Sequence, residues 1–114
     1  MRVRECVYSY CDANGRERFQ RVRWRLDPPL NGRTKEIKYR WRYDSNHAWV
    51  YRMAQMPDWD VHRHLIYNLP TILEEVARGG DIWWTEGEKD ANALIELGIA
   101  ATTHHGGAGN MDRE

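Results

Sequence analysis

The segment Ile82-Trp83-Trp84-Thr85-Glu86-Gly87-Glu88-Lys89-Asp90-Ala91 constrains this chain more than any other. A short apolar run ends at a carboxylate and a glycine, and a charged amphipathic pattern opens directly behind it. That order marks a strand-to-helix turn with an acid at the strand's C-terminal end, where open α/β sheets gather ligands and chemistry. Ala91, Leu94 and Ile95 fall on one face of the following helix and Gly98 stops it. Ile99-Ala100-Ala101-Thr102-Thr103 then supplies a second strand. Strand, helix and strand in so short a span form a compact βαβ unit, with parallel strands and a right-handed crossover. Trp83 and Trp84 are expected in its core.

The first half has a different period. Val3, Val7, Tyr8 and Tyr10 occupy an alternating run, Asp12-Ala13-Asn14-Gly15-Arg16 supplies a turn, and residues 19–26 return as an antiparallel partner. Asp27-Pro28-Pro29-Leu30-Asn31-Gly32 is expected to break the strand, because neither proline can donate to a ladder. Residues 36–43 and 48–52 make a second pair around Asp44-Ser45-Asn46. Residues 53–64 show no period and read as a connecting loop. A short helix follows, with Pro70 in its first turn, Ile72, Leu73, Val76 and Ala77 as its apolar stripe, and Gly79-Gly80 as its stop.

The expected fold is therefore α+β: an N-terminal antiparallel β-meander of three to four strands, then a short helix and a truncated βαβ unit. Residues 1–64 form a basic β module and residues 65–114 the helix–βαβ segment.

A formal net charge of zero conceals a strong polarity. Residues 1–42 hold twelve Lys and Arg against five Asp and Glu, and residues 43–114 hold five against twelve. Within the basic half, Arg21, Arg23 and Arg25 alternate with Val22 and Trp24, while Lys38, Arg40 and Arg42 alternate with Tyr39, Trp41 and Tyr43. Period-two alternation places cations on one side of each strand and bulky residues on the other. Six cations on neighbouring strands are expected to form one continuous basic face suited to the phosphates of a nucleic acid. A solvated outer face is the plainer reading of the same pattern.

Other classes are set aside. No apolar run approaches the ~20 residues a membrane span needs. The N-terminus shows no leader pattern, so a cytoplasmic protein without membrane contact is expected. Cys6 and Cys11 are five apart in a strand and point to opposite faces, which argues for buried thiols over a disulfide. The histidines share no metal-ligand spacing with them, and no metal site is assigned.

At this point the motifs carry a family resemblance. Glu86-Gly87-Glu88-Lys89-Asp90-Ala91, then Ala93-Leu94, Leu97-Gly98, Ala101-Thr102-Thr103 and Gly106-Gly107-Ala108-Gly109, resemble the start of a TOPRIM domain of phage or mobile-element DNA primase and primase–helicase proteins. Tyr8, Tyr10, Asp12, Gly15 and Leu65-Ile66-Tyr67-Asn68-Leu69-Pro70 fit the same proteins.

The resemblance implies metal-assisted phosphoryl transfer on nucleic acid, with Glu86 as catalytic acid/base or metal-site carboxylate. Lys89 would neutralise phosphate near the helix N-terminus. The magnesium-binding Asp-x-Asp of such domains does not follow Thr103; Asp58 and Asp60 have that spacing but precede Glu86. Mg2+ is thus expected only if the site is completed elsewhere, and Glu86 then serves only as an acid favoured by the helix dipole. Gly106–Gly109 reads either as a phosphate cradle or as a frayed terminus. Asn110 stands where similar proteins carry a lysine. Three functions follow from these readings: a nucleic-acid-binding protein using Arg21, Arg23, Arg25, Lys38, Arg40, Arg42 and Lys89; an interaction factor docking on a host or phage protein, or on itself, through an exposed sheet edge; and a magnesium-dependent primase or nuclease.

Overall fold

Two hairpins build the N-terminal half of the computed structural model, which describes residues 1–105. Strand β1 (Arg2–Cys11) turns into β2 (Glu17–Leu30), which turns into β3 (Arg33–Arg40), giving a three-stranded antiparallel sheet in that order. The first turn is organised by Asp12, whose carboxylate accepts the Asn14 and Arg16 backbone N–H groups, each at 3.0 Å. The second is a two-residue turn at Asn31 and Gly32, with φ of 51° and 79°. Positive φ at both central residues suits the right-handed twist of the flanking strands, which explains the Asn-Gly pair.

The proline stretch therefore does not end β2. Pro28 and Pro29 lie in the register shift between Arg25 and Leu30, where the ladder is interrupted and no N–H is required of them. The expected fourth strand shrinks to one antiparallel bridge between Trp41 and Val50, and the meander has three strands. The expected loop after it contains a 3-10 turn, Met53–Gln55, and a four-residue helix α1 (Trp59–His62).

One face of the sheet makes the core. Tyr8, Tyr10, Phe19, Trp41 and Met56 are buried together, with Cys6, Tyr39, Trp59, Leu65 and Tyr67 packed around them. Phe19 stacks on Tyr10 with centroids 4.8 Å apart and meets Trp59 edge-on at 5.1 Å. Such aromatic pairs add ~0.5–1.5 kcal/mol to the area they bury.

The second half is a parallel unit, as its period suggests. Helix α2 (Leu69–Ala77) leads to β4 (Trp83–Trp84), α3 (Glu88–Glu96) and β5 (Ala101–Thr102), and β4 pairs parallel with β5. The threonines bind this unit together. Thr103 Oγ1 donates to Thr85 O at 2.8 Å, and Thr102 Oγ1 donates to Tyr67 O at 2.5 Å, tying β5 to the segment before α2. That segment docks on the aromatic core through Tyr67, whose ring lies 5.4 Å from Tyr10.

Several burial expectations are corrected. Trp83 and Trp84 are not core: they are 57% and 54% exposed, since β4 has β5 on one side and no other strand among the described residues. Of the α2 stripe only Ile72 is buried; Leu73 and Val76 stand exposed. Both cysteines are free and half-buried, not fully buried. Among the described residues no helix is long and apolar enough to cross a membrane. The Gly106–Gly109 run, Asn110 and the late acids Asp112 and Glu114 lie outside the described residues.

Phe19 anchors the core, so Phe19→Ala is expected to lower unfolding free energy by ~3–5 kcal/mol in urea titration. A loss under ~1 kcal/mol would place the core elsewhere.

Candidate nucleic-acid interface

Directly opposed residues of antiparallel strands share a face, so the register decides where each cation goes. Arg21 lies between Tyr8 and Tyr39, and Arg23 between Cys6 and Ile37. Gln20 lies between Ser9 and Arg40, and Val22 between Val7 and Lys38. The β2 cations thus share the inner face with the aromatic core, while Lys38, Arg40 and Arg42 belong to the outer face. The single basic face of six cations is not formed. A register that set Arg21 and Arg23 directly against Lys38 and Arg40 would oppose like charges, which is destabilising. The observed one sets them against Tyr39 and Ile37.

On the inner face Arg21 is engaged. Its Nη1 donates to both Glu88 carboxylate oxygens, at 2.8 and 3.0 Å, and the Tyr10 hydroxyl donates to Glu88 Oε2 at 2.7 Å. Glu88 is buried, because Gly87 ends the β4–α3 turn and α3 begins against the sheet. Burial, then the neighbouring carboxylate, raises the Tyr10 pKa, so its phenol stays a donor. Burial and the Cys6 thiol push Tyr8 up to about 12.

The same row continues to His105. Its Nε2 sits 2.6 Å from the Arg63 carbonyl, which can only accept, so Nε2 carries the proton. Nδ1 then accepts from the Tyr39 hydroxyl at 2.8 Å. Burial lowers the His105 pKa and keeps the ring neutral.

Arg23 pairs with Glu5 at 3.5 Å, and Arg25, opposite Lys35, is exposed at the far end of the sheet.

The outer face interleaves cations with indoles. The Arg40 and Arg42 guanidinium carbons each lie 4.1 Å from the Trp49 ring centroid. Arg40 is 6% exposed and also donates to Gln20 Oε1 at 2.8 Å, so it holds Trp49 in place more than it meets solvent. Arg2 lies 5.5 Å from the Trp24 ring and 3.4 Å from Glu36, an acid of the same face. Arg4 pairs opposite Trp24 on β1. Arg4, Lys38 and Arg42 make no ion pair within the described residues.

Arg4 and Trp49 were not singled out by strand alternation, and Trp24 was placed by it only on the side away from the β2 cations. The Arg2/Arg4 alternation held a signal for the first, but Trp49 comes to the face only through the Trp41–Val50 bridge.

Glu86 and Lys89 sit exposed at the β4–α3 turn, away from the outer-face cations in sequence and in strand. Among the described residues no three Asp, Glu, His or Cys side chains converge as metal ligands. The turn offers Glu86 and a Glu88 already bonded to Arg21 and Tyr10. That donor set does not fit the several hard oxygens magnesium requires, and no chemical step is derived through it. Searches against family models, curated proteins and solved structures found no match.

Two predictions follow from the inner face. Glu88→Ala leaves Arg21 buried without its counter-charge and should lower stability by ~3–5 kcal/mol, while pairing it with Arg21→Met should recover much of the loss. Urea titration of the three variants checks this; equal stability of the single and double variants would contradict it. His105, with its depressed folded pKa, stabilises the fold above its ordinary value of 6.5, and that contribution is lost as pH falls through the folded pKa. The urea midpoint should fall between pH 7.5 and 5, and His105→Gln should flatten that slope.

Proposed function

We propose that this chain binds nucleic acid through the outer face of its N-terminal sheet, in a phage or mobile-element replication setting related to TOPRIM primases. The observation that supports it is the alternation of Arg4, Lys38 and Arg42 with Trp24 and Trp49 on one sheet face. These cations make no ion pair within the described residues and supply salt-dependent phosphate attraction, while the indoles stack against the Arg2, Arg40 and Arg42 guanidinium groups and hold them on the face. Arg40 and Arg42 both lie against the Trp49 ring. Arg21 and Arg23 are excluded from the contact set by their inner-face partners, and Arg25 and Lys89 lie off this face.

A second reading rests on a separate observation. Trp83 and Trp84 are exposed beside the outer edge of β4, which has no strand partner among the described residues. Trp83 and Thr85 direct their N–H groups to Ala100 and Thr102 of the β5 side, so the intervening Trp84 turns its own away. An open edge flanked by indoles suits a protein partner that adds a strand. The two surfaces are separate, and both can operate in one molecule.

Fluorescence anisotropy with labelled single- and double-stranded oligonucleotides tests the first reading. Lys38→Glu with Arg42→Glu should weaken binding at least ten-fold at about 50 mM salt and reduce the log–log salt slope by about two. Arg25→Glu should change it far less. Unchanged affinity in the double reversal would refute the outer face as the binding surface.

A further inference from the structure

At the outer edge of β1 the sheet does not meet the helical layer closely, and a groove of about 460 Å³ remains. Val7 and Ser9 form its sheet side, and Tyr67, Asn68, Asn92 and Ile95 its other wall. The volume lies within the ~300–1,000 Å³ of small-molecule sites. No lining residue is an acid or a base of the Asp, Glu, Lys, Arg or His type. A phosphate or carboxylate would find no counter-charge there, so the groove suits a neutral ligand. Cys11, also in the lining, has its thiol pKa raised by burial and by Glu17 and Asp12, and so stays neutral as well.

The polar groups in the groove are oriented by their outer bonds. Asn92 Oδ1 accepts the Tyr67 hydroxyl at 2.9 Å, which leaves its Nδ2 without a partner among the described residues. Asn68 Nδ2 donates to the Ala101 carbonyl at 3.3 Å, which leaves its Oδ1 as an acceptor. One side chain therefore offers a donor and the other an acceptor, each fixed from behind. Asn68 also holds φ of 62°, a conformation uncommon outside glycine, and its side chain does not cap α2. A donor and an acceptor beside a tyrosine ring and aliphatic walls match the edge and faces of a nucleobase.

The position of the groove strengthens this match. Ser9 stands in one cross-strand row with Gln20 and Arg40, and Val7 in one row with Val22 and Lys38. Two strand spacings, ~10 Å, separate the groove side of the sheet from the outer-face cations.

We propose that this groove holds a single unpaired nucleobase, with Asn92 and Asn68 reading its edge, while the adjoining phosphates follow the sheet toward Lys38 and Arg42. The inference rests on the nucleic-acid reading for its phosphate path, but the groove itself acts on an uncharged base and is tested apart from charge.

The probe is the set of free nucleosides, which carry no phosphate, with binding read by saturation-transfer NMR on the full chain. At least one nucleoside should bind saturably. Asn92→Asp retains the acceptor for Tyr67 and removes the free donor, and it should weaken that binding at least ten-fold. Thr71→Trp, at an exposed lining position, should block the groove without disturbing the core, and covers the case in which Asn92→Asp misfolds. Arg25→Glu, off both the groove and the outer face, should leave nucleoside binding unchanged.

Oligonucleotide binding without any nucleoside binding overturns the groove and leaves the outer-face reading standing. Nucleoside binding indifferent to both groove variants overturns it too. Nucleoside binding lost in those variants supports the groove even if oligonucleotides fail to bind, in which case the outer-face reading is the one that falls. Absence of both kinds of binding overturns both.

Discussion

The ion pair between Arg21 and Glu88 joins the two halves of this protein, and most of the layout depends on it. Arg21 comes from the central strand of the antiparallel sheet and Glu88 from the first turn of the crossover helix, 67 residues later. With Tyr10 donating to the same carboxylate, two cross-sheet neighbours converge on one acid. A buried carboxylate without this company would be strongly destabilising, because desolvation of an ion is offset only by close counter-charge and hydrogen bonds. The pair does not by itself imply high stability. It does fix position: the first turn of α3 is held against the sheet where Glu88 meets both Arg21 and Tyr10.

That placement explains why the glutamate pair of the β4–α3 turn divides as it does. Glu86 and Glu88 are two residues apart, yet one is exposed at the turn and the other is buried in the interface. The sequence reading expects Glu86 to be the chemical residue, whereas in this fold Glu88 is the one with partners. Glu86 provides one carboxylate at a helix start, an electrostatically favourable position, and among the described residues no group of three Asp, Glu, His or Cys side chains forms there to hold a metal.

The same interface sorts the cations. Once β2 turns Arg21 inward, the period of the strand turns Arg23 and Arg25 to that side as well, and the partner strand must present Lys38, Arg40 and Arg42 outward. The outer face receives fewer cations than strand alternation suggests, but Trp49 joins it through the Trp41–Val50 bridge and shares two guanidinium groups. The β1 edge and the helical layer leave a neutral groove beside this charged face. Charge and neutrality are thus segregated within a short distance, the arrangement that the proposed binding of a phosphate-linked base would use.

Sequence alone determined the α+β class, the two kinds of sheet, the strand–turn–helix at Glu86, and the amphipathic period of the elements, because these depend on local spacing and on turn residues such as Gly15 and Gly98. It also separated a basic half from an acidic one. Whether β2 stops at Pro28 was not legible, since a proline in a register shift and a proline ending a strand look alike in the chain. The relative phase of β2 and β3 was also beyond local reading: one residue of register inverts every side chain, and the register follows from the Asn31-Gly32 turn together with the partners each face meets. The tertiary structure alone decided that Arg21 belongs to Glu88 and that Trp83 and Trp84 stay exposed. Burial is a property of what packs against a residue, and no periodicity within a strand of two residues can state that.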